Sequence, residues 1–286
     1  MQSSTVQLLR FPFSFFLLPV FFFALSFVGS IHWLHAIAAL LIIHLLIYPS
    51  SNGYNSYMDR DTDSIGGLEK PEQPTKELFY VTIAMDIAAL LLAYFVNPLF
   101  AFGLVVYILF SRLYSYRGIR LKKYPVIGYV TVVLNQGALI FALVFYTADK
   151  TGVQDIPLIP LAASIFLIGG FYPITQVYQH AADKKDNVRT ISMLLGKRGT
   201  FVFCGIMYAI AFALLFIQYN STGSIRMFII LQLFFIPVVF YFIKWFVAVF
   251  KDEKAASFKN TMRMNMLAAT CTNLAFITII ILHQIG

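Results

Sequence analysis

The chain has 286 residues, of which 59% are hydrophobic and only 12% are charged, and its mean hydropathy is +0.78. This composition excludes an ordinary soluble domain and predicts an all-α, polytopic membrane protein in which residues 1–286 form one membrane-embedded domain. The formal net charge of +8 is interpreted as a sign of membrane topology and of an anionic ligand, not of nucleic-acid binding.

Nine apolar segments follow one another along the chain, each of about 20 residues, the length that a helix needs to span a bilayer. Their approximate bounds are 12–31, 34–54, 78–95, 97–114, 125–147, 157–178, 200–219, 225–247 and 264–284. The first segment is interpreted as a retained helix, because the apolar run from Phe11 to Val28 is long for the core of a signal peptide. The sequence therefore predicts nine transmembrane helices.

The basic residues are distributed unevenly between the two sides of such a bundle. If the N-terminus is cytoplasmic, only Lys150 and Arg226 of the 21 Lys and Arg residues lie on the outer side. The positive-inside rule then predicts a cytoplasmic N-terminus and an external C-terminus, with a bacterial inner membrane as the expected location. Three polar loops, at approximately 55–77, 112–124 and 179–199, would share the cytoplasmic face.

The first polar loop carries Asn55, Asp59 and Asp63 at intervals of four residues. If the second helix continues through this loop, the three side chains share one face, whereas Asp61 points elsewhere and is solvated. Their oxygen ligands suit Mg²⁺ or Ca²⁺ rather than zinc. An ordinary acidic loop, or a cluster that caps the following helix, would contain the same residues, so the spacing alone leaves both interpretations open.

The second polar loop on that side carries Gln179 and Asp183, again four residues apart, followed by Asp186 and several basic residues. Mg²⁺ is typically held by one or two carboxylates together with substrate phosphates. Two acidic clusters that share a membrane face, each flanked by basic residues, therefore predict a bridge from carboxylate through Mg²⁺ and phosphate to Arg or Lys. The alternative is that each loop is an independent solvated segment.

The loop between the fourth and fifth segments is strongly basic and includes Arg112, Arg117, Arg120 and Lys122. It is either an anchor for anionic lipid head groups or a clamp for a diphosphate. Inside the fifth segment, Asn135 is polar at membrane depth, where such groups usually face the bundle interior. It is therefore a candidate for lining an internal pocket.

The loop motifs together resemble those of a known family. The segments concerned are Asn55-x-x-x-Asp59-x-x-x-Asp63, residues 70–74, Tyr114-Ser115 with Arg120-Leu121-Lys122, residues 178–184 and residues 190–196. They resemble the aspartate-rich motifs and the basic second loop of the UbiA superfamily of intramembrane prenyltransferases, and the predicted helix count agrees. The resemblance implies a helical bundle around a central cavity that opens laterally to lipid.

The resemblance also implies roles for individual residues. Asp59, Asp63 and Asp183 are expected to be catalytic, and the expected Mg²⁺ ligands are Asn55, Asp59, Asp63, Gln179 and Asp183. The residues expected to bind the diphosphate are Arg10, Lys70, Tyr114, Arg120 and Lys122.

The implied reaction is the Mg²⁺-dependent transfer of a prenyl group from an isoprenoid diphosphate to an aromatic, quinone-type acceptor within the membrane. Two alternatives stay open. An intramembrane terpene cyclase of the same superfamily would capture the cation within its own prenyl chain. A transporter is disfavoured because the polar residues concentrate at one face and few ionisable groups lie at the midplane.

The sequence departs from the family pattern at several positions. Ser56 and Ala181 stand where acidic residues are usual, Gln179 stands where an Asp is usual, and Gln73 stands where an Arg is usual. The second aspartate motif therefore carries less negative charge than the family pattern supplies. Asp186, although out of the usual register, is the candidate that replaces this charge.

Overall fold

The computed structural model of the chain describes residues 1–151 and 155–285, and all regular elements in these ranges are helices. The α-helices are α1 Ser3–Leu9, α2 Leu18–Leu25, α3 Trp33–Leu41, α4 Tyr48–Asp59, α5 Lys76–Val96, α6 Pro98–Ser115, α7 Pro125–Val132, α8 Ile140–Ala148, α9 Leu158–Ile174, α10 His180–Lys185, α11 Ile191–Ser221, α12 Ile225–Lys251 and α13 Phe258–Ile285. The predicted all-α class is confirmed.

Two pairs of helices are continuous through π-helical turns. Residues Ile42–Ile47 join α3 to α4, and residues Val133–Leu139 join α7 to α8. A π-helical turn is wider than an α-helical turn and is frequent at functional sites. The second of these turns contains Asn135, whose side chain is buried.

The predicted count of nine spanning helices is not confirmed. Seven helices in the described ranges are long and apolar enough to cross a membrane, and an eighth is counted if the bent pair Ser3–Phe16 and Leu18–Leu25 is one span. The pair is bent by 40°, and Pro12 and Pro19 lie at the starts of its second and third helical pieces, where a missing N–H interrupts a continuous helix. The sixth predicted segment is shortened to the 17 residues of α9.

The helices pack as a bundle whose outer surface is apolar. Helix α9 packs along α11, and α12 packs against α13. Gly137 permits a close approach, because a Cβ atom there would lie 2.9 Å from the Ser164 carbonyl oxygen. Large apolar side chains such as Phe95 and Phe240 are exposed on the outside, as expected of a surface that faces lipid hydrocarbon.

A buried ion pair connects three of the helices near the site. Arg112 of α6 contacts the Asp86 carboxylate of α5 and also donates a 2.8 Å hydrogen bond to the Ser50 hydroxyl of α4. That hydroxyl lies 2.5 Å from the other oxygen of Asp86. The Arg112 guanidinium further stacks over the Tyr54 ring at 4.1 Å. These contacts hold α4 against α5 and α6.

We expect Arg112→Ala to lower the free energy of unfolding by about 3–5 kcal/mol, because it leaves the buried Asp86 charge without its cation. Arg198→Ala is the matched control, since Arg198 and Glu253 lie 3.7 Å apart with both side chains about half exposed. Its cost should stay below about 1 kcal/mol. Denaturant unfolding in detergent measures both variants, and equal losses would contradict a structural role for the buried pair.

Candidate active site

A cavity of about 200 Å³ opens at one end of the bundle, where the three polar loops meet. Its lining changes in character from the loops towards the interior. The residues nearest the loops, which we call the ionic layer, are Arg10, Asp59, Asp61, Lys122, Asp183 and Asp186. Uncharged polar residues of the lining, which we call the neutral polar layer, include Ser51, Asn52, Asn55, Ser111, Tyr114, Ser115, Asn135, Gln136, Tyr172 and Gln176.

The layers follow from helix periodicity. On α4, Asn55 and Ser51 lie one and two turns before Asp59, and on α6, Ser111 lies one turn before Ser115. Hydrogen bonds join the two helices in this register: Asn55 donates to the Ser115 hydroxyl at 2.9 Å, and the Ser51 and Ser111 hydroxyls are 2.5 Å apart. Each helix therefore presents a ladder of polar side chains that leads from the loops into the membrane.

Asp59 is the best-defined carboxylate of the ionic layer. Its side chain is buried, one oxygen lies 3.1 Å from the Arg120 guanidinium, and the other contacts the Lys122 ammonium. Arg117 also donates a 3.2 Å hydrogen bond to the Asp59 carbonyl at the end of α4. The basic loop is thus bound to the acidic end of α4.

The prediction that Asn55, Asp59 and Asp63 share one helix face is wrong for Asp63. Helix α4 ends at Asp59, because Arg60 adopts the left-handed conformation with φ 54°. Asp63 then lies outside the helix with half of its side chain exposed, 3.4 Å from Lys185. Asp61, which was expected to be solvated, lines the cavity instead.

The second polar loop brings Gln179, Asp183 and Asp186 to the same cavity. Asp183 lies in α10, and among the residues described no group hydrogen-bonds its buried Oδ2 atom. Asp186 contacts Arg120 and lies 3.6 Å from Arg117. Asp186, which was expected to replace the missing charge of the second aspartate motif, therefore lines the cavity.

The cations expected to bind a diphosphate fall into three groups. Lys122 lines the cavity, and Arg120 lies directly behind Asp59. The buried Arg10 also lines the cavity and donates 3.2 Å hydrogen bonds to the Gly66 and Asn52 carbonyls. Lys70 is exposed and is not part of the cavity lining.

The two remaining candidates, Tyr114 and Asn135, both line the cavity. The Tyr114 hydroxyl lies 2.5 Å from that of Tyr172, and Asn135 donates a 3.1 Å hydrogen bond to the Tyr107 carbonyl. Sequence reasoning did not identify Tyr172 or Gln176. Their only sequence signal is the interval of three to four residues that links both to Gln179 and Asp183 along the chain.

Backbone strain is concentrated around the ionic layer. In the described ranges, the non-glycine residues with positive φ are Arg10, Arg60, Arg120 and Asn187, with φ between 49° and 54°. All four belong to segments that form this end of the cavity. Left-handed conformations of such residues are costly and persist where the surrounding structure requires them, frequently at functional sites.

Burial disfavours the charged forms of two carboxyl groups of the ionic layer, Asp61 and Asp183. Burial raises the pKa of Asp183 to about 7, even though Lys122 opposes the shift. Burial and the neighbouring Asp59 together raise the pKa of Asp61 to about 6. An added cation would relieve both effects, because it favours the charged form of a carboxyl group.

The oxygen ligands at this site suit a hard cation that is also bound by water and phosphate oxygens. Across residues 1–151 and 155–285, no three Asp, Glu, His or Cys side chains are arranged to form a metal site by themselves. Mg²⁺ does not require such a cage, since it usually combines one or two carboxylates with water and phosphate oxygens. The unpartnered Asp183 oxygen and the amide oxygens of Asn55 and Gln179 fit that pattern.

A second cavity of about 270 Å³ lies beside the first and is almost entirely apolar. It is lined mainly by residues of α2, α9, α11, α12 and α13, and Phe171 of α9 lines both cavities. The polar cavity at the loops thus adjoins a hydrophobic cavity between the helices of the bundle, which we call the apolar chamber. An amphiphile with an anionic head and an apolar tail would match this sequence of environments.

The chain matches the UbiA prenyltransferase family over residues 15–267. None of the curated proteins compared with it matches significantly. A solved structure of a UbiA homologue from Archaeoglobus fulgidus bound to GPP and Mg²⁺ has a TM-score of 0.70 at 20% identity, with 97% of this chain and 99% of that chain covered.

Two further solved structures are similar. A UbiA homologue from Aeropyrum pernix K1 has a TM-score of 0.69 at 16% identity, over 92% of this chain and 96% of that chain. A structure of digeranylgeranylglyceryl phosphate synthase has a TM-score of 0.62 at 18% identity, over 97% and 98%. These similarities show a shared fold.

The raised pKa of Asp183 predicts that the ligand-free protein loses stability as pH rises from about 4 to about 7. In that window the folded protein holds a proton on Asp183 that the unfolded chain has released, so deprotonation favours unfolding. We expect Asp183→Asn to remove this component and to gain about 1–3 kcal/mol over wild type above pH 7. Unfolding measured with a chelator from pH 4 to pH 8 tests this, and parallel pH profiles for both proteins would contradict it.

Proposed function

The chain belongs to the UbiA prenyltransferase family, and from this premise we propose that it transfers a prenyl group from an isoprenoid diphosphate to an acceptor within the membrane, in a Mg²⁺-dependent reaction. The observation that carries the proposal is the cavity in which Asp59, Asp183 and Lys122 face a common space. The solved structures of a UbiA homologue from Archaeoglobus fulgidus, bound to Mg²⁺ with GPP or with DMAPP, support the choice of donor and metal.

The oxygen-rich lining fits Mg²⁺. Asp59 and Asp183 would hold it together with Asn55 and Gln179, and further carboxylates would come from the 61–63 segment. When bound, Mg²⁺ neutralises diphosphate oxygens and stabilises the leaving group as the allylic C–O bond breaks. The proposed ligand set retains Asp63, which reaches the cavity only if its contact with Lys185 is given up.

The basic residues of the site would bind the remaining negative charge of the diphosphate. Lys122 and Arg120 neutralise Asp59 in the ligand-free protein, and they become available to phosphate oxygens once that carboxylate has another counter-charge. Arg10 has no carboxylate within 4 Å among the described residues; its terminal nitrogens donate to backbone carbonyls, and its buried Nε has no hydrogen-bond partner there. Arg forks and a Lys point charge are suited to phosphate.

The deeper residues would protect the reacting carbon. Tyr114, Tyr172 and Phe171 line the first cavity, and Phe171 also lines the apolar second cavity. Aromatic faces stabilise a nearby cation, and apolar walls exclude the water that would consume it. The acceptor then attacks the allylic carbon, and a carboxylate of the ionic layer takes the proton that is released.

The active-site end is proposed to face the cytoplasm of a bacterial cell, as the asymmetry of basic residues predicts. An intramembrane terpene cyclase would use the same donor site without an acceptor. Product analysis with and without an added acceptor separates the two reactions.

We expect Asp59→Asn and Asp183→Asn each to lower Mg²⁺-dependent turnover at least about 100-fold, because each removes a charge that stabilises the leaving diphosphate. Asp252→Asn is the control, since Asp252 is an exposed carboxylate outside the cavity lining. Diphosphate release from purified protein in detergent measures turnover. Retention of wild-type turnover by either cavity variant would refute the proposed site.

The relative importance of Asp61 and Asp63 gives a second test. Because Asp61 lines the cavity and Asp63 is half exposed, we expect Asp61→Asn to raise the Mg²⁺ concentration needed for half-maximal activity more than Asp63→Asn, by about 10-fold against less than about 3-fold. Mg²⁺ titrations of both variants measure the difference. A larger effect of Asp63→Asn than of Asp61→Asn would show that Asp63 is a Mg²⁺ ligand, as the sequence motif predicts. It would also show that the 60–68 segment rearranges around the metal.

A further inference from the structure

A third cavity, of about 460 Å³, lies at the end of the bundle opposite the active site, and we call it the distal cavity. Thr190, the N-cap of α11, lines the active-site cavity, whereas Tyr219 near the end of that helix lines the distal cavity. Because α11 has 31 residues and is long enough to cross a membrane, the two cavities lie near opposite membrane surfaces. The distal cavity therefore takes no part in the proposed prenyl transfer.

The charge of the distal cavity disfavours an anionic ligand. Asp155 contributes a carboxylate to the lining, and neither Lys nor Arg lines the cavity within the described part of the chain. A metal ion is also disfavoured, since no three Asp, Glu, His or Cys side chains of the described residues are arranged around one position. A positively charged organic group would complement this lining.

The aliphatic hydroxyl groups of the lining act as hydrogen-bond acceptors. Ser26 donates its hydrogen to the Phe23 carbonyl at 2.7 Å, and Thr222 donates to the Gln218 carbonyl at 3.0 Å. Ser224 donates to the Thr222 carbonyl at 3.4 Å. A hydroxyl has one hydrogen and two lone pairs, so these oxygens can only accept from a ligand. A ligand rich in N–H or O–H donors would match them.

Tyr219 and His283 add two further acceptors. The Tyr219 side chain is 2% exposed, and its hydroxyl has no hydrogen-bond partner among the residues described. Ser26 is a polar neighbour of this hydroxyl, but its hydrogen is already donated to Phe23, so the Tyr219 oxygen still lacks a donor. His283 lies 3.1 Å through Nδ1 from the Ser26 carbonyl. Because a carbonyl only accepts, Nδ1 carries the hydrogen and the Nε2 lone pair of the neutral ring is left for a ligand.

Aromatic rings complete the lining. Phe27, Phe145 and Tyr219 all line the distal cavity, and the centroids of the Phe27 and Tyr219 rings are 5.7 Å apart. Aromatic faces attract ammonium groups, and aromatic cages are used by proteins that bind organic cations. A carboxylate, several acceptors and aromatic rings thus line the same cavity without a fixed cation.

We propose that the distal cavity binds a primary ammonium group, which pairs with the Asp155 carboxylate and donates hydrogen bonds to the Tyr219 hydroxyl and to His283 Nε2. A primary ammonium has three N–H donors, whereas a quaternary ammonium has the same charge and none. Two sources carry this group at a membrane surface: the ethanolamine head group of a lipid and a free amine in solution.

The experiment measures thermal unfolding of the purified full-length protein in detergent at increasing ligand concentration, which gives an apparent Kd. The lipid probes are dioctanoyl phosphatidylethanolamine and dioctanoyl phosphatidylcholine, and the soluble probes are ethanolamine and choline. We expect the ethanolamine member of a pair to bind about 10-fold more tightly, because only it donates hydrogen bonds. A preference in the lipid pair alone assigns the ammonium to a head group, and a preference in the soluble pair assigns it to a free amine.

Tyr219→Phe keeps the ring and removes the unpartnered hydroxyl. We expect it to weaken binding of the ethanolamine ligand about 10-fold and to leave the choline ligand unchanged. Tyr146→Phe is the matched control, because Tyr146 lies at the same end of the bundle in α8 but outside the cavity lining. If Tyr219→Phe does not fold, His283→Leu, at an exposed position, gives the same readout.

Asp155→Asn tests the charge separately. We expect it to weaken the ethanolamine and choline ligands alike, since the carboxylate attracts either cation. Asp252→Asn, which removes an exposed carboxylate at the other end of the bundle, should change neither.

Three results would overturn the inference: equal affinity of wild type for the ethanolamine and choline members of both pairs, equally tight binding of dioctanoyl phosphatidylglycerol, or unchanged ethanolamine binding by Tyr219→Phe and His283→Leu. None of them bears on the turnover of GPP, so the proposed function is tested independently.

Discussion

The convergence of four carboxylates at the mouth of a membrane-embedded cavity is the constraint on which the site depends. Asp59, Asp61, Asp183 and Asp186 line one small space, and their mutual repulsion is offset by the cations of the basic loop. Arg120 is central, because it contacts both Asp59 and Asp186 and so links the two acidic segments. Ion pairs between the basic loop and both acidic segments therefore hold this end of the cavity together.

The helices behind the site hold these charges in position. Helices α4 and α6 are joined by hydrogen bonds at successive turns, and the buried Asp86–Arg112 pair attaches α5 to both. Buried ion pairs contribute little net stability compared with apolar packing, but breaking one partner is costly. Such a pair suits a structure in which the register of two helices decides which polar groups face the cavity.

The cavity changes from ionic to neutral polar to apolar within a few helical turns, and this order is chemically informative. A diphosphate requires the first environment and an isoprenoid tail requires the last.

Sequence alone determined the all-α membrane class, and it predicted a common site for Asn55, Asp59 and Asp183, which line one cavity. Both predictions were possible because bilayer thickness and helix periodicity act locally along the chain. Tertiary structure decided the rest. The left-handed Arg60 ends α4 and exchanges the expected positions of Asp61 and Asp63, and Pro12 and Pro19 break the first predicted span. Asn52 and Gln176 line one cavity only through packing, since nothing local in the sequence links residues so far apart.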